Sequence, residues 1–267
     1  MSGKPDTVPL EFLHELADAA DGALRRYFRT GVAVANKEEN GFDPVTKADR
    51  EAEKAIRALI EVRYPEHGIV GEEFGNKDAS SGGQPVWVLD PLDGTKAFIT
   101  GMLNWMTLIG LNSSSGAVAG MASQGFTRER FFAGAGESKS WYRGPGGETA
   151  QLKTSGMSAI EEASFCTTVP DLFTGVLNAP YEELKSRAKF ARFSGDAYFF
   201  CMVAAGHIDI AIDPGLNSYD IAALVPIVEN AGGVVTTLGG EPAHNGGDIV
   251  AAATPQLHEE VLKLFSQ

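Results

Sequence analysis

Leu10, Leu13, Leu16, Ala17, Ala20, Leu24, Tyr27 and Phe28 recur at helical spacing, which predicts an amphipathic helix over 8–29. Thr46 and Asp49 form a capping-box pattern, and Ala52, Ile56 and Leu59 mark the buried face of a second helix. The period then shortens. Strand-like runs at 85–89, 107–112 and 117–122, each bounded by Gly, Pro or Ser, join strands near Phe131 and at 140–142 in a predicted antiparallel sheet. A short strand, Gly68-Ile69-Val70, leads into Glu72-Glu73.

Gly144-Pro145-Gly146-Gly147 is the strongest internal punctuation, and beyond it strands and helices alternate. Strands are expected at 164–168, 189–193, 208–212, 234–237 and 249–252, with helices at 197–205, 219–230 and 255–265. Alternation of this kind puts helices on both faces of a sheet, so the fold class is α/β (α+β). Two halves are expected, 1–145 and 146–267.

The 267 residues are 43% apolar and 21% charged, ordinary values for a soluble globular chain. No apolar run approaches the roughly 18 residues of a membrane span, and the start lacks the apolar core of a secretory signal, so a cytoplasmic protein is expected. Cys166 and Cys201 are not in a C-x-x-C spacing and read as core residues. Twenty-two basic residues against 35 acidic ones leave a net charge of −13, which repels nucleic acid and anionic lipid. It also repels a phosphate ester, unless bound cations reverse the potential locally.

Acidic residues gather where such cations would help. Asp43-Pro44-Val45-Thr46-Lys47-Ala48-Asp49, Gly71-Glu72-Glu73 and Asp90-Pro91-Leu92-Asp93-Gly94-Thr95 each sit at a strand end or helix start, as does Asp220 after Ser218. Each has a plain structural reading: Asp93 as cap of a short helix at 94–99, Asp49 and Asp220 as helix-start residues, Glu72-Glu73 as a solvated loop. The set together points to hard divalent ions, Mg²⁺, Mn²⁺ or Ca²⁺, on oxygen ligands including the Leu92 carbonyl. Gly94 and Thr95 add backbone donors suited to a phosphate. The five histidines lack zinc-ligand spacing, and no G-x-S-x-G elbow or G-x-x-x-x-G-K-[ST] loop is present. Metal-activated phosphate hydrolysis is what remains.

These motifs, with Tyr219-Asp220-Ile221-Ala222-Ala223, resemble in order and spacing the inositol monophosphatase superfamily over almost the whole chain. The resemblance implies a layered α/β/α/β/α sandwich with the site between its halves. It implies two or three Mg²⁺ ions, with Mn²⁺ an option: Glu72, Asp90 and the Leu92 carbonyl for the first, Asp90, Asp93 and Asp220 for the second, Glu72 and water for a third. Asp49 and Thr95 match the pair that orients and deprotonates the attacking water, and Gly94 and Thr95 match the phosphate donors. Lys37 falls near a family lysine, although a solvated lysine is the simpler reading. The resemblance also implies a homodimer.

Within the superfamily, Lys96-Ala97-Phe98-Ile99-Thr100-Gly101, Trp105-Met106-Thr107-Leu108-Ile109-Gly110-Leu111 and Ser194-Gly195-Asp196-Ala197-Tyr198 resemble the histidinol-phosphatase branch. Inositol enzymes carry a small residue where Asp196 stands. A carboxylate there would suit the ammonium and imidazole of histidinol phosphate, or it merely caps the helix from Ala197. Asp213 matches a substrate-contacting Glu of the family but is one methylene shorter, and Tyr219 replaces a frequent Trp. The readings left open are histidinol phosphatase, inositol or broad polyol phosphatase, and a catalytically retired binding protein that would have lost its acidic ligands.

Overall fold

Period-two alternation divides the apolar side chains of two sheets between opposite faces, and helices cover those faces. The computed structural model describes residues 8–31, 33–36 and 44–266; Lys37 and Asp43 lie outside them. The first part runs α1 (Leu10–Leu24), β1 (Val34–Asn36), β2 (Pro44–Thr46), α2 (Lys47–Arg63), β3 (Gly68–Gly71), β4 (Gly75–Lys77), β5 (Val86–Asp93), α3 (Thr95–Ile99), β6 (Met106–Ser113), β7 (Gly116–Gln124), β8 (Glu129–Ala133), β9 (Trp141–Arg143) and β10 (Thr149–Gln151). The second runs β11 (Ser164–Thr167), α4 (Asn178–Arg187), β12 (Phe190–Phe193), α5 (Ala197–Ala204), β13 (Ile210–Asn217), α6 (Ser218–Ile221), α7 (Leu224–Glu229), β14 (Val234–Thr237), β15 (Gly246–Ala252) and α8 (Pro255–Phe265).

The larger sheet has the order β10-β9-β8-β7-β6-β5-β3-β4, and the smaller β12-β11-β13-β15-β14. On β6, Ile109 and Leu111 join the core under α1 and α2, while Met106 and Leu108 face α5 and α7. On β13, Ala211 faces α5 and α7, while Ile210 and Ile212 pack toward α4 and α8. The layers are therefore helices, sheet, helices, sheet, helices. The expected α/β/α/β/α sandwich is what the chain forms. No helix among the described residues is long and apolar enough to cross a membrane.

Several local expectations are corrected. The first helix stops at Leu24 and breaks into turns, so Phe28 leaves its axis and packs against Phe98, Trp105 and Phe126. Leu59 packs against the core only partly buried, and Ile60 beside it is fully buried. The strands from β5 to β9 pair antiparallel as expected, and β3, which the sequence left unplaced, joins the sheet parallel to β5. Gly144-Pro145-Gly146-Gly147 is a hairpin turn joining β9 to β10, so the first sheet continues to Gln151. The single helix expected at 219–230 is two, α6 and α7, because Pro226 has no N–H to give Ala222 and its ring crowds that carbonyl.

Gly110 and Gly120 are cross-strand partners, and a Cβ on either would collide with the Ala222-Ala223 backbone. Their missing side chains let the end of α6 lie close to β6 and β7.

Candidate active site

Along a regular strand Asp90 and Asp93 would point to opposite faces. They do not, because β5 slips by one residue against β6: Asp90 pairs with Leu108 but Asp93 pairs with Met106. This bulge is pinned by the Leu92 N–H donating to Asp90 Oδ1 (2.9 Å) and the Thr107 hydroxyl donating to the Pro91 carbonyl (2.9 Å). Asp220 arrives from the second half as the third residue of a capping box, its Oδ2 accepting the Asn217 N–H at 2.6 Å. Carboxylate oxygens of Asp90, Asp93 and Asp220 all lie within 4.8 Å of one another.

Glu72 follows β3, its N–H donating to the Leu89 carbonyl at 3.2 Å, and its carboxyl is hydrogen-bonded to Asp90. The crowding shows in proton affinity. Burial first, then the charges of Glu72, Asp93 and Asp220, hold Asp90 well above the ordinary carboxylate range. Burial and the charges of Asp196 and Asp220 do the same to Asp93. Burial, aided by Glu72 and opposed by the Asn217 N–H, pushes Asp220 up to about 6. Four acidic groups with only oxygen donors, costly to ionise together, fit a hard divalent cation.

Thr46 and Asp49 make the expected capping box: the Thr46 hydroxyl accepts the Ala48 N–H at 3.0 Å, and Asp49 Oδ2 accepts the Thr46 N–H at 2.9 Å. The other oxygen of Asp49 faces the Thr95 hydroxyl at 3.5 Å, which also reaches the Leu92 carbonyl at 3.1 Å. Burial raises Asp49 to about 6. Gly94 has φ of 78°, a left-handed turn suited to glycine, and opens α3 at the end of β5. The first N–H groups of α3 have no acceptor within the helix.

Asp93 does not cap α3; its Oδ2 accepts the Ala197 N–H at 2.8 Å, so it caps α5 across the cleft. Asp196 in turn does not cap α5. Its carboxylate accepts from the Asn104 amide at 2.7 Å, and its own N–H donates to the Thr168 hydroxyl at 3.0 Å. Asp196 is held at φ 48° and ψ −148°, a conformation costly for any side chain, and Ser194 two residues earlier has φ 63°. Burial and the Asp213 charge push Asp196 up to about 6. Asp213 sits in the same cleft of about 170 Å³, with Asp93, Asp196 and Asp220. It accepts from the Thr167 hydroxyl (2.9 Å), the Thr168 N–H (2.6 Å) and the Thr168 hydroxyl (2.7 Å). Burial raises it, too, to about 6.

Sequence reading passed over Glu53 and Arg57. Glu53, fully buried on α2, accepts the N–H groups of Glu73 (2.7 Å) and Phe74 (3.3 Å), and Arg57 Nε donates to it at 2.7 Å. Arg57 also reaches the Gly75 carbonyl. Together they grip the turn that carries Glu72. The signal was there: Asp49, Glu53 and Arg57 repeat at i, i+4 beside the apolar stripe of Ala52 and Ile56.

The profile of the inositol monophosphatase family matches residues 7–267. The chain belongs to that family. It is accordingly a phosphatase. Over 249 residues it is 32% identical to a histidinol-phosphatase of Mycobacterium tuberculosis, covering 92% of this chain and 94% of that one. It is 33% identical over 262 residues to the bifunctional phosphatase IMPL2, chloroplastic, of Arabidopsis thaliana, covering 93% of this chain and 72% of that one. An inositol monophosphatase from Zymomonas mobilis superposes with a TM-score of 0.83 at 34% identity, over 96% of this chain and 97% of that one. The family is metal-dependent, and the acidic cluster is where a metal fits.

Proposed function

We propose that the chain hydrolyses L-histidinol phosphate to L-histidinol and phosphate, using Mg²⁺ held by Asp90, Asp93, Asp220, Glu72 and the Leu92 carbonyl. The observation that carries this is the convergence of Asp90, Asp93 and Asp220 to within 4.8 Å. Bound there, such ions supply positive charge for the phosphoryl oxygens and make water a stronger nucleophile near neutral pH. The chain's own residues do the rest. N–H groups at the start of α3, those of Gly94 and Thr95, hold the phosphoryl oxygens. The Thr95 hydroxyl positions the attacking water, and ionised Asp49 takes the proton relayed from it. A P–O bond to water forms as the ester P–O bond breaks, and the departing alkoxide is protonated by solvent.

Asp196 supports the histidinol reading, because it places a carboxylate in the cleft where an ammonium or imidazolium would be matched. The named histidinol-phosphatase relative supports it as well. The second reading, hydrolysis of an inositol or other polyol phosphate, is favoured by the 34% identity to the Zymomonas mobilis enzyme. A regulatory protein without catalysis is disfavoured, since Glu72, Asp90, Asp93 and Asp220 are all retained. We place the enzyme in the cytoplasm as a homodimer, a state that exposed Met102, Leu103 and Phe126 would suit and that light scattering tests.

The deciding experiment measures phosphate release from histidinol phosphate, inositol 1-phosphate and a generic aryl phosphate, with Mg²⁺ and then with chelator. Chelator-sensitive turnover with histidinol phosphate preferred is expected. Equal turnover of the first two would sink the substrate assignment, and chelator-resistant turnover would sink the metal.

A further inference from the structure

A second cavity, of about 300 Å³, opens where the end of α1 meets the β7–β8 and β9–β10 turns, three strands across the sheet from β5. Its walls carry Arg25, Arg128, Arg130 and Arg143 with Asp18 and Asp21. In a chain of net charge −13 that is an unusual gathering of guanidinium groups. The two carboxylates are already engaged, for Arg130 Nη2 donates to Asp18 (2.5 Å) and Asp21 (2.9 Å). Arg25 spends its Nε on the Asp21 backbone carbonyl at 3.2 Å. Among the described residues neither it, Arg128 nor Arg143 pairs with a carboxylate.

Three further observations point the same way. Arg130 and Arg143 are directly opposite partners on β8 and β9, an arrangement in which like charges destabilise a sheet. Arg128 holds φ at 66°, in the left-handed region where glycine or asparagine costs less. A long cation is thus kept at a backbone position that does not favour it. His14, whose ring touches Arg130, is held down to about 4 by burial and by the charges of Arg130 and Arg143. Positive potential there is felt by a neighbouring group.

We propose that this cavity is a second anion site, separate from the acidic cleft, that binds a small molecule bearing two adjacent phosphoryl groups. Four guanidiniums against two carboxylates leave the cavity net cationic, and the planar forks of Arg25, Arg128 and Arg143, none paired with a described carboxylate, suit the oxygens of such a diphosphate. The volume suits a ligand of that size. The anion would bridge α1 to the β8–β9 edge and give Arg143 the counter-charge that Arg130 already has in Asp18 and Asp21. The site does not depend on which ester the acidic cleft hydrolyses.

The test uses inorganic pyrophosphate, the full-length chain and excess chelator at constant ionic strength. Without metal the acidic cleft repels anions, so calorimetry reports the arginine cavity alone. One pyrophosphate per chain is expected, weakened about tenfold or more in Arg128→Gly/Arg143→Ala. Because glycine relaxes the left-handed position, Arg128→Gly alone should keep or raise Tm while it weakens binding. Phosphatase turnover with metal restored should match that of wild type. Absence of binding to wild type, or undiminished affinity in the double variant, would overturn the proposal.

Discussion

Two groups of buried carboxylates lie against the same eight-stranded sheet, one led by Asp21 of α1 and one by Asp90 of β5, and they differ in what faces them. Asp21 is 4% exposed and meets Arg130 and the Ser123 hydroxyl, at 2.9 and 3.0 Å. Asp90 is 2% exposed and meets Glu72, Asp93 and Asp220, with no ion pair to a described Lys or Arg. Burial raises the proton affinity of both, but at Asp21 the guanidinium opposes it and at Asp90 the neighbours add to it. A buried acid with its own counter-charge is architecture. One without it keeps its proton more tightly, and is suited to a cation from outside.

The largest effect should come from Asp90→Asn. Phosphate release is expected to fall about a thousandfold or more, since a carboxylate central to the cluster is lost. The metal-free variant should nevertheless melt higher than the metal-free wild type, because a repelling charge has gone. Calorimetric melting and a phosphate assay read both. Turnover like that of wild type would remove Asp90 from the site.

Asp21→Asn should show the opposite signature. Leaving Arg130 buried with one partner fewer is expected to cost about 3 kcal/mol of stability in urea unfolding. Turnover per folded molecule should stay unchanged. Loss of activity without loss of stability would erase the distinction between the two groups.

Glu53→Gln stands between these cases. The amide can still accept one N–H of the Glu72-Glu73 turn, but it loses the charged bond to Arg57. Mg²⁺ affinity by calorimetry is expected to weaken about tenfold, with a small fall in kcat at saturating metal. Unchanged metal affinity with a lowered Tm would make Glu53 purely structural.

The comparison also sets a pH dependence. Asp49, Asp213 and Asp220 each have folded pKa values of about 6, above the unfolded carboxyl value of 3.8. The folded state therefore binds protons more tightly than the unfolded one. The stability this contributes is full below about pH 4 and is lost as pH rises through 6. Metal-free protein should melt several degrees higher at pH 5.5 than at pH 7.5, whereas Asp49 must be ionised for turnover, so activity should rise through the same window. Saturating Mg²⁺ should flatten the melting trend, by replacing protons as the counter-charge. A metal-free Tm that climbs with pH would contradict the sign.

Much of this was legible in the chain. The α1 and α2 stripes, the capping box at Thr46 and Asp49, and the strands around Gly110 follow local rules that the fold obeys. The acidic residues were legible as a set because none of them has a good apolar reason to sit at a strand end. What escaped depends on contacts distant in sequence. Nothing local announces that β5 bulges after Asp90, since the slip is set by the partner strand β6. Asp93 looked like the cap of the helix it precedes, yet it caps α5, over a hundred residues away. Helix α4 buries only Tyr181 and Leu184, too thin a stripe to stand out. Pro226 was a visible helix breaker inside the expected 219–230 helix, which ends as α6 and resumes as α7.

The smallest and most discriminating effect concerns Asp196. The Asn104 bond, the Thr168 bond and a strained backbone all hold its carboxyl in the cleft, so its orientation is set before any ligand enters. Asp196→Asn keeps the size and removes the charge. At pH 8 the carboxyl is ionised, well above its value of about 6, and a substrate ammonium is still protonated. A partly solvated pair of this kind contributes up to about 1 kcal/mol, so kcat/KM for histidinol phosphate should fall about fivefold. The phosphate ester of a neutral polyol, which has no cationic group to lose a partner, should lose nothing, and with a repelling carboxylate gone near its phosphate it should gain slightly. The ratio of the two substrates carries the information, because a disturbed start of α5 would lower both together. A parallel fall would make Asp196 a positioning residue and leave the preference for a cationic ester to be sought elsewhere in the cleft.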